Sequence, residues 1–325
     1  MKEIVLIMGI QAAGKSTMVS EYIKKGYFRL NRDEYDCSLD KLNEKLEASI
    51  IQGRSKIVLD NTYGTKDSRK KVINIAKKHG YIITCVWVTT KIEDAQYNAA
   101  YRILKKYILD PANPKFSITD ILGPNGSKLD KDSCNIPSIA LYAYKKSFEE
   151  PTNDEGIDHI EKVPFLREPL PTGYSNRAII LDYDDTIRKT KSGNKYPLKP
   201  EDIKILPNTK ETLKRYVDNG YILLGVSNQS GIEKGDLSDD QAMACFNHTN
   251  KLIGFDIDYQ YCPHHSFPIR CYCRKPLSGL GVYLTQKYKL LPNKCIFVGD
   301  ATSDKTFASR CGFGYMSPDE FFKRK

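Results

Sequence analysis

The chain has 325 residues, 40% of them hydrophobic and 28% charged, with a formal net charge of +10. That length suits two domains rather than one, since single cores stop growing near about 250–300 residues, and the composition excludes disordered and fibrous classes. No apolar run approaches the ~18 residues of a membrane span, and the N-terminal "IVLIMGI" runs into a glycine-rich loop rather than a signal-peptide cleavage site, so no membrane association is expected.

In chain order, residues 4–8 read as a buried parallel strand, followed by a loop and a helix from about Lys15. "SKIVLD" (55–60) and "YIITCVWV" (81–88), with amphipathic stretches near 38–52 and 65–79, continue a βαβα rhythm, the pattern of a parallel sheet covered on both faces. Residues 91–108 look helical, and then "DPANPKFS" and "LGPNGSKLDKDS" break the pattern with Pro, Gly and Asn. A second α/β unit begins near Arg177, with strands at 178–182, 221–227 and 295–299 and helices at 208–219 and 239–252. Between the units, "FLREPLPTGYSN" is rich in proline and suits a linker at 171–176, giving domains of 1–170 and 177–325. The basic excess is shared: 27 Lys and Arg against 23 Asp and Glu in residues 1–170, and 23 against 17 in the remainder. Such a field attracts a polyanion, and solvated lysine-rich helices account for it equally well.

Gly9-Ile10-Gln11-Ala12-Ala13-Gly14-Lys15-Ser16-Thr17 satisfies G-x-x-x-x-G-K-[ST], after a strand and opening a helix. The glycines let backbone N–H groups close around nucleotide phosphates, and the helix N-terminus favours their charge. Lys15 is placed for the β- and γ-phosphates of ATP, Ser16 for Mg²⁺, and Thr17 completes the nucleotide-binding set. "RLNRDEY" puts Arg32 and Asp33 just past a short strand, where Asp33 could accept a proton from an attacking hydroxyl or merely cap a turn. "LDNT" puts Asp60, Asn61 and Thr62 at the next strand end, on the ligand-binding edge of such a sheet, with the same two readings open. Arg102, before the irregular segment, reads as a lid arginine or as a solvated helix arginine.

The order GxxxxGKST, "GYFRLNRDEY", "GRSKIVLDNT" and "IEDAQYNAAYR" resembles the kinase module of polynucleotide 5′-kinases. The likeness is sharpest in "IPSIALYAYKKSFEEPTNDEGIDHIEKVPF" (136–165), which resembles the closing segment of that module in eukaryotic DNA-repair polynucleotide kinase/phosphatases through Tyr144, Phe148, Glu149, Pro151, Thr152, Glu155 and Gly156. The resemblance implies that Asp33 is the base activating a 5′-hydroxyl, that Arg32, Asp60, Asn61 and Thr62 hold the acceptor end, and that Arg102 is a lid arginine.

Asp182-x-Asp184-x-Thr186 at a strand end resembles motif I of the haloacid-dehalogenase superfamily. The resemblance implies that Asp182 attacks phosphorus and that Asp184 protonates the leaving oxygen and then activates water. Ser227 in "YILLGVSNQSGI", Lys275 in "CRKPLSG", and Asp300 and Asp304 in "CIFVGDATSD" complete motifs II to IV in order. Mg²⁺ would be held by Asp182, Asp184 through its carbonyl, Asp300 and Asp304, while Asn228 and Arg274 would contact substrate. Asp185 departs from the glycine many relatives carry, which alters the expected turn. Motifs I and II are 45 residues apart and motifs II and III 48, enough for a hairpin, helices and strands but not a cap domain. The fold class expected is therefore α/β: a P-loop NTPase kinase domain followed by a capless haloacid-dehalogenase-like Rossmannoid domain, both with parallel sheets.

Nine cysteines in a long chain without a secretory signal fit a reducing compartment, the cytoplasm or the nucleus. Cys262, His264, Cys271 and Cys273 form C-x-H-x₆-C-x-C, a donor set suited to closed tetrahedral Zn²⁺, with His265 the alternative imidazole. The pattern is similar to the zinc loop of histidinol-phosphate and heptose-bisphosphate phosphatases, and Cys273 stands two residues before Lys275, so the role expected is structural. The other cysteines, Cys37, Cys85, Cys134, Cys245, Cys295 and Cys311, read as small buried hydrophobes.

Taken together, the resemblances imply a bifunctional enzyme acting on DNA or RNA ends, phosphorylating 5′-hydroxyls with ATP and removing 3′-phosphates. The alternative favoured by the zinc loop is a small-molecule kinase fused to a sugar- or histidinol-phosphate phosphatase. An end-binding scaffold with dead sites is disfavoured by the intact Lys15, Asp33, Asp182, Asp184 and Lys275.

Overall fold

The computed structural model describes residues 2–107, 116–126, 135–165, 167 and 170–324. Cys134 and most of the irregular stretches expected at 110–117 and 122–133 lie outside them. The contacts divide the chain into two compact units, the first made of Met1–Ala99 and Ile139–Glu168, the second of Ala100–Ser138 and Pro169–Lys325.

In the first unit the apolar runs become parallel strands and the amphipathic stretches become their crossover helices. The order is β1 (Glu3–Met8), α1 (Lys15–Lys24), β2 (Phe28–Asn31), α2 (Leu39–Ile51), β3 (Lys56–Asp60), α3 (Lys66–Lys78), β4 (Ile82–Thr89) and α4 (Ile92–Tyr107); α5 (Ile118–Ile121) comes next in the chain but groups with the second unit, and α6 (Ser138–Ser147) and β5 (His159–Pro164) complete the first. The five strands pair in the order β2-β3-β1-β4-β5, all parallel. Ile4 to Met8 are buried without alternation, as a central strand covered on both faces must be. Leu42 and Leu46 of α2 and Val72 of α3 close over Leu6, Leu59 and Cys85 to form one core. Ser38 caps α2 by accepting the Lys41 N–H, and Thr65 and Ser68 form a reciprocal cap on α3.

The second unit continues with β6 (Ala178–Leu181), β7 (Arg188–Thr190), β8 (Ile203–Ile205), α7 (Thr209–Asp218), β9 (Ile222–Asn228), α8 (Gly231–Lys234), α9 (Asp239–Ile253), β10 (Asp258–Cys262), α10 (Gly279–Lys287), β11 (Ile296–Val298), α11 (Thr302–Cys311), β12 (Gly314–Met316) and α12 (Pro318–Phe322). Its parallel sheet runs β10-β9-β6-β11-β12, and β7 and β8 form a small antiparallel hairpin. Leu181 is in register with both Gly225 and Val298, so Asp182, Ser227 and Asp300 emerge at one carboxyl edge. Between β6 and β9 stand only the hairpin of three-residue strands, a 3₁₀ turn and α7, which leaves the edge without a cap domain.

The division by contacts differs from the sequence boundary at 170 in one respect: residues 100–138 group with the second unit. Tyr272 is the reason that can be seen. Its N–H donates to the Leu122 carbonyl at 2.6 Å and its hydroxyl to the Ile136 carbonyl at 2.7 Å. The helix α4 therefore begins in one unit and ends in the other.

Candidate active sites

In the first unit the phosphate loop leaves β1 at Gly9 and enters α1 at Lys15. A Cβ on Gly9 would stand 2.9 Å from the Val88 carbonyl oxygen, and Gly14 takes φ +89° as it caps the helix, so both positions require glycine. The Lys15 ammonium folds back into the loop and donates to the Gly9 and Ile10 carbonyls at 2.9 and 2.8 Å. Ser16 and Thr17, at the helix N-terminus, are exposed. The loop is braced from β4 and α4: Thr90 Oγ1 donates to the Ala13 carbonyl at 3.1 Å and Asn98 Nδ2 to the Ala12 carbonyl at 2.9 Å.

The strand ends beside the loop carry the expected acids in contrasting surroundings. Asp33 is exposed in the turn after β2, with Arg32 Nε 3.8 Å from its carboxylate. Asn31 builds that turn, its Oδ1 accepting the N–H groups of Asp33 and Glu34 while its Nδ2 donates to the Asp60 carbonyl at 2.6 Å. Asp60 is buried and paired with Arg29 at 2.7 Å, so its carboxylate is held inside rather than offered freely to an acceptor. Asn61 accepts the Arg32 N–H at 3.2 Å, and the Thr62 carbonyl accepts the Gly9 N–H at 3.2 Å, tying the acceptor edge to the phosphate loop. Arg102 lies in the part of α4 counted with the second unit and is not among the residues the first unit gathers. Sequence reasoning passed over Asn31 and Arg29; their spacing to Asp33 and Asp60 carries no recognisable pattern.

The closing segment of this unit is clamped by Arg69, which the sequence did not single out. Arg69 is fully buried and grips Glu155 with two parallel bonds of 2.7 and 2.8 Å, while its other nitrogen donates to the carbonyls of Tyr63 and Glu149. Glu155 of the 136–165 signature thus has Arg69 as a structural partner, while the Glu149 carboxylate accepts the Lys66 N–H at 2.8 Å.

In the second unit Asp182 follows β6, its N–H bonded to the Val298 carbonyl at 2.9 Å. Lys275 is buried and reaches Asp182 at 3.0 Å, Asp304 at 2.8 Å and the Val226 carbonyl at 2.9 Å, which uses the three donors of its ammonium. Burial raises the pKa of Asp182, Lys275 pulls it back, and the charges of Asp304 and Asp184 push it up again; Asp300 is likewise raised, by burial first. Ligand oxygens of Asp182, Asp300 and Asp304 lie within 4.8 Å of one another. Three carboxylates thus crowd against one ammonium, an imbalance a divalent cation neutralises. Asp304 is the least free of them, since its Oδ2 accepts the Ala301 N–H at 3.1 Å and its Oδ1 faces Lys275.

Asp184 is oriented from both sides, by Arg188 Nε on Oδ1 at 2.8 Å and Gln229 Nε2 on Oδ2 at 3.0 Å. Arg188 is itself buried, lies over the rings of Tyr183 and Phe246 and donates to Thr249. Gln229 also donates to the Ser227 hydroxyl at 3.0 Å, so one amide aligns motifs I and II. Neither residue was found from sequence, because each acts through a partner distant in the chain. Asn228, expected to contact substrate, clamps the Lys275 main chain, accepting its N–H at 3.0 Å and donating to its carbonyl at 3.1 Å. Arg274 points its Nη1 to the His264 carbonyl at 3.2 Å, toward the cysteine loop. Asp185 takes φ +57°, the left-handed conformation that glycine adopts, so the turn is kept despite the substitution.

The cysteine loop gathers as expected, with donor atoms of Cys262, His264, Cys271 and Cys273 within 4.8 Å of one another. Cys262 Sγ lies 3.7 Å from Cys271 Sγ and 3.2 Å from Cys273 Sγ, and His264 Nδ1 lies 3.1 Å from Cys273 Sγ. Tetrahedral Zn²⁺ with Zn–S near ~2.3 Å places sulfurs about 3.8 Å apart, so the residues fit that ion. Burial raises the Cys262 and Cys273 thiols, and hydrogen bonds from those two hold Cys271 low. Among the other described cysteines, Cys85, Cys245, Cys295 and Cys311 are buried and Cys37 is half-buried.

Among the described residues no helix is long and apolar enough to cross a membrane. Residues 177–322 match the family described as polynucleotide kinase 3 phosphatase, and residues 4–107 match the AAA domain. The chain is 28% identical over 186 residues to a bifunctional polynucleotide phosphatase/kinase of Schizosaccharomyces pombe, covering 57% of this chain and 36% of that protein. It is 33% identical over 138 residues to a D-glycero-beta-D-manno-heptose-1,7-bisphosphate 7-phosphatase of Haemophilus influenzae, covering 40% of this chain and 73% of that protein. A chain of the Pnkp1/Rnl/Hen1 RNA repair complex aligns over 97% of this chain and 95% of its own length at 14% identity, with a TM-score of 0.31, too low to weigh. The parallel-sheet folds and both domain matches agree: this chain joins a P-loop domain that matches the AAA domain to a haloacid-dehalogenase-type phosphatase domain that matches the polynucleotide kinase 3 phosphatase family.

Proposed function

We propose that the chain is a bifunctional polynucleotide end-processing enzyme, a 5′-hydroxyl kinase and a 3′-phosphatase. The observation that carries the reading is the presence in one chain of a complete phosphate loop and a complete Asp182–Lys275 site, in a sequence related to a bifunctional polynucleotide phosphatase/kinase. In the first step Asp33 takes the proton of a 5′-hydroxyl, whose oxygen attacks the γ-phosphorus of ATP; the bond to the β-phosphate oxygen breaks and ADP leaves. Lys15 and the loop N–H groups steady the transferring charge, Asn61 and Thr62 border the acceptor edge, and Asp60 supports that edge through Arg29 and Asn31.

At the second site an Asp182 oxygen attacks the phosphorus of a 3′-phosphate, and Asp184 protonates the departing 3′-oxygen. Asp184 then takes a proton from water, whose oxygen attacks the aspartyl-phosphate, releasing phosphate and restoring Asp182. Ser227 donates to the phosphoryl group and Lys275 balances its charge. Mg²⁺ bound by Asp182 and Asp300 would supply the positive charge that lets nucleophile and phosphate approach. Zn²⁺ bound by Cys262, His264, Cys271 and Cys273 would fix the loop leading to Lys275, with all four positions filled by protein. DNA or RNA ends are the partners; the open edge over β6, β9 and β11 suits the end of a polymer.

The test supplies 5′-hydroxyl, 3′-phosphate oligonucleotides of DNA and RNA with ATP and follows both ends. Lys15→Ala is expected to abolish only 5′ phosphorylation, and Asp182→Asn only 3′ dephosphorylation. Failure to phosphorylate any 5′ end sinks the kinase reading. The cysteine cluster and the heptose-bisphosphate phosphatase relative favour a second reading, a sugar-phosphate phosphatase. It predicts that single-stranded oligonucleotide leaves hydrolysis of a small phosphate ester uninhibited.

A further inference from the structure

A cavity of about 320 Å³ in the first unit is used by none of the steps above. It is lined by Ile10, Trp87, Val88, Thr90, Tyr144 and Phe148. Ile10 follows β1 and Thr90 follows β4, and these neighbouring strands mark where the sheet order reverses, since the chain moves from β1 to one side for β2 and β3 and to the other for β4 and β5. Crevices at such switch points, outside the carboxyl ends of the strands, are where α/β sheets bind ligands. The wall of the cavity is fastened to the phosphate loop by Thr90 on the Ala13 carbonyl. Whatever fills it therefore lies beside the reacting phosphates.

The lining selects a flat, apolar ligand attached to negative charge. Trp87, Phe148 and Tyr144 form a run of tilted rings with centroids 5.2 and 5.5 Å apart. The exposed Lys91 and Lys145 also line the cavity, outnumbering the one acid there, the half-buried Glu93, and the Lys162 ammonium lies 5.0 Å from the Trp87 ring centre. Aromatic rings with a basic rim are the means by which proteins hold single-stranded nucleic acid without reading its sequence. A separate aromatic stands at the far end of the loop, where a Cβ on Gly14 would lie 3.4 Å from the Phe165 ring.

We propose that this cavity takes the 5′-terminal nucleobase of the strand being phosphorylated, stacking it with Trp87, Tyr144 and Phe148 and pairing its phosphates with Lys91 and Lys145. The inference rests on the kinase reading above and deepens it: the acceptor is gripped by its first base in any sequence, so the strand must be frayed or single-stranded at that base.

Trp87 is the only tryptophan in the chain, so its fluorescence reports on the cavity without any substitution. A 5′-hydroxyl oligonucleotide of about twelve nucleotides is expected to quench it saturably, while ATP with Mg²⁺ alone leaves it unchanged. Removing the first two bases, leaving abasic sugars, is expected to abolish the quenching and raise the KM for the oligonucleotide roughly tenfold, the scale of one stacked base. Lys145→Glu, an exposed change, is expected to raise that KM severalfold with the KM for ATP unaltered. Phosphorylation of intact and abasic strands with equal KM overturns the inference and leaves the kinase reading standing. Saturable quenching by ATP alone overturns it in favour of an adenine site. Absence of phosphorylation on any strand removes the kinase reading and this inference with it.

Discussion

Replacing Arg69 with methionine should cost the first unit about 4 kcal/mol, and the figure follows from what Arg69 holds. Its guanidinium is fully buried, forms two bonds of 2.7 and 2.8 Å to Glu155, and satisfies the carbonyls of Tyr63 and Glu149. Removing one partner of a buried pair leaves the other charge uncompensated, at a cost of about 3–5 kcal/mol. The sole tryptophan, Trp87, belongs to this unit and packs on Phe148, so urea unfolding followed by its fluorescence reports on the right part of the chain. With an m-value of about 2 kcal/mol/M, the midpoint should fall by roughly 2 M. The pH dependence has a definite sign. Burial works to raise the Glu155 carboxyl, but Arg69 and the Thr152 N–H overcome it, so its pKa lies below the ordinary value. A depressed acid contributes fully above its unfolded pKa of about 4.3 and loses the contribution as pH falls through the folded value. The gap between wild type and variant should therefore narrow in acid. Glu155→Leu in the Arg69→Met background should recover part of the loss, because no buried charge is then left alone. A midpoint shift below about 0.5 M, or a gap that widens in acid, would refute the clamp.

Lys275→Met should lower 3′-phosphatase kcat by at least about 100-fold, some 3 kcal/mol, with 5′ phosphorylation by the same preparation unchanged; a loss under tenfold would contradict the role drawn from its contacts. Gln229→Leu removes the amide joining Asp184 to Ser227, and a drop of about tenfold in phosphatase kcat at constant folding midpoint is expected. Metal analysis of the purified chain should find one zinc per molecule, and Cys273→Ser should lose it together with phosphatase activity; a zinc-free, fully active wild type would dismiss the metal. Asp185→Gly should be neutral or stabilising by up to about 1 kcal/mol in thermal unfolding, since the left-handed turn suits glycine and the Lys189 contact it loses is exposed.

What could be read in the sequence was the chemistry at strand ends. Gly9 to Thr17 follow the apolar run of β1, and Asp182, Ser227 and Asp300 stand at the ends of β6, β9 and β11, where register delivers these three to the carboxyl edge of the second unit's sheet. The residues that aim these groups were not legible. Arg188, Gln229, Asn31 and Arg69 act through contacts across loops, and a polar side chain in a sequence does not disclose its partner. Asn228 illustrates the same limit, because the hydroxyl of Ser227 beside it accepts the Gln229 amide while its own amide serves the Lys275 backbone. Elements were lost for a similar reason. β5 is half-exposed and lysine- and glutamate-bearing, so it lacks an apolar run, while α10 is buried on nearly every side and shows no amphipathic period.

The two hydrogen bonds of Tyr272 have a practical consequence for anyone dissecting this chain. Because residues 100–138 group with the second unit, the two compact units do not correspond to two consecutive lengths of polypeptide. A fragment begun at residue 170 would leave the backbone N–H and the hydroxyl of Tyr272, between two thiols of the cysteine cluster, without the Leu122 and Ile136 carbonyls they reach in the whole molecule. No single cut yields both halves whole; supplying the missing segment as a separate peptide is the repair this interleaving suggests.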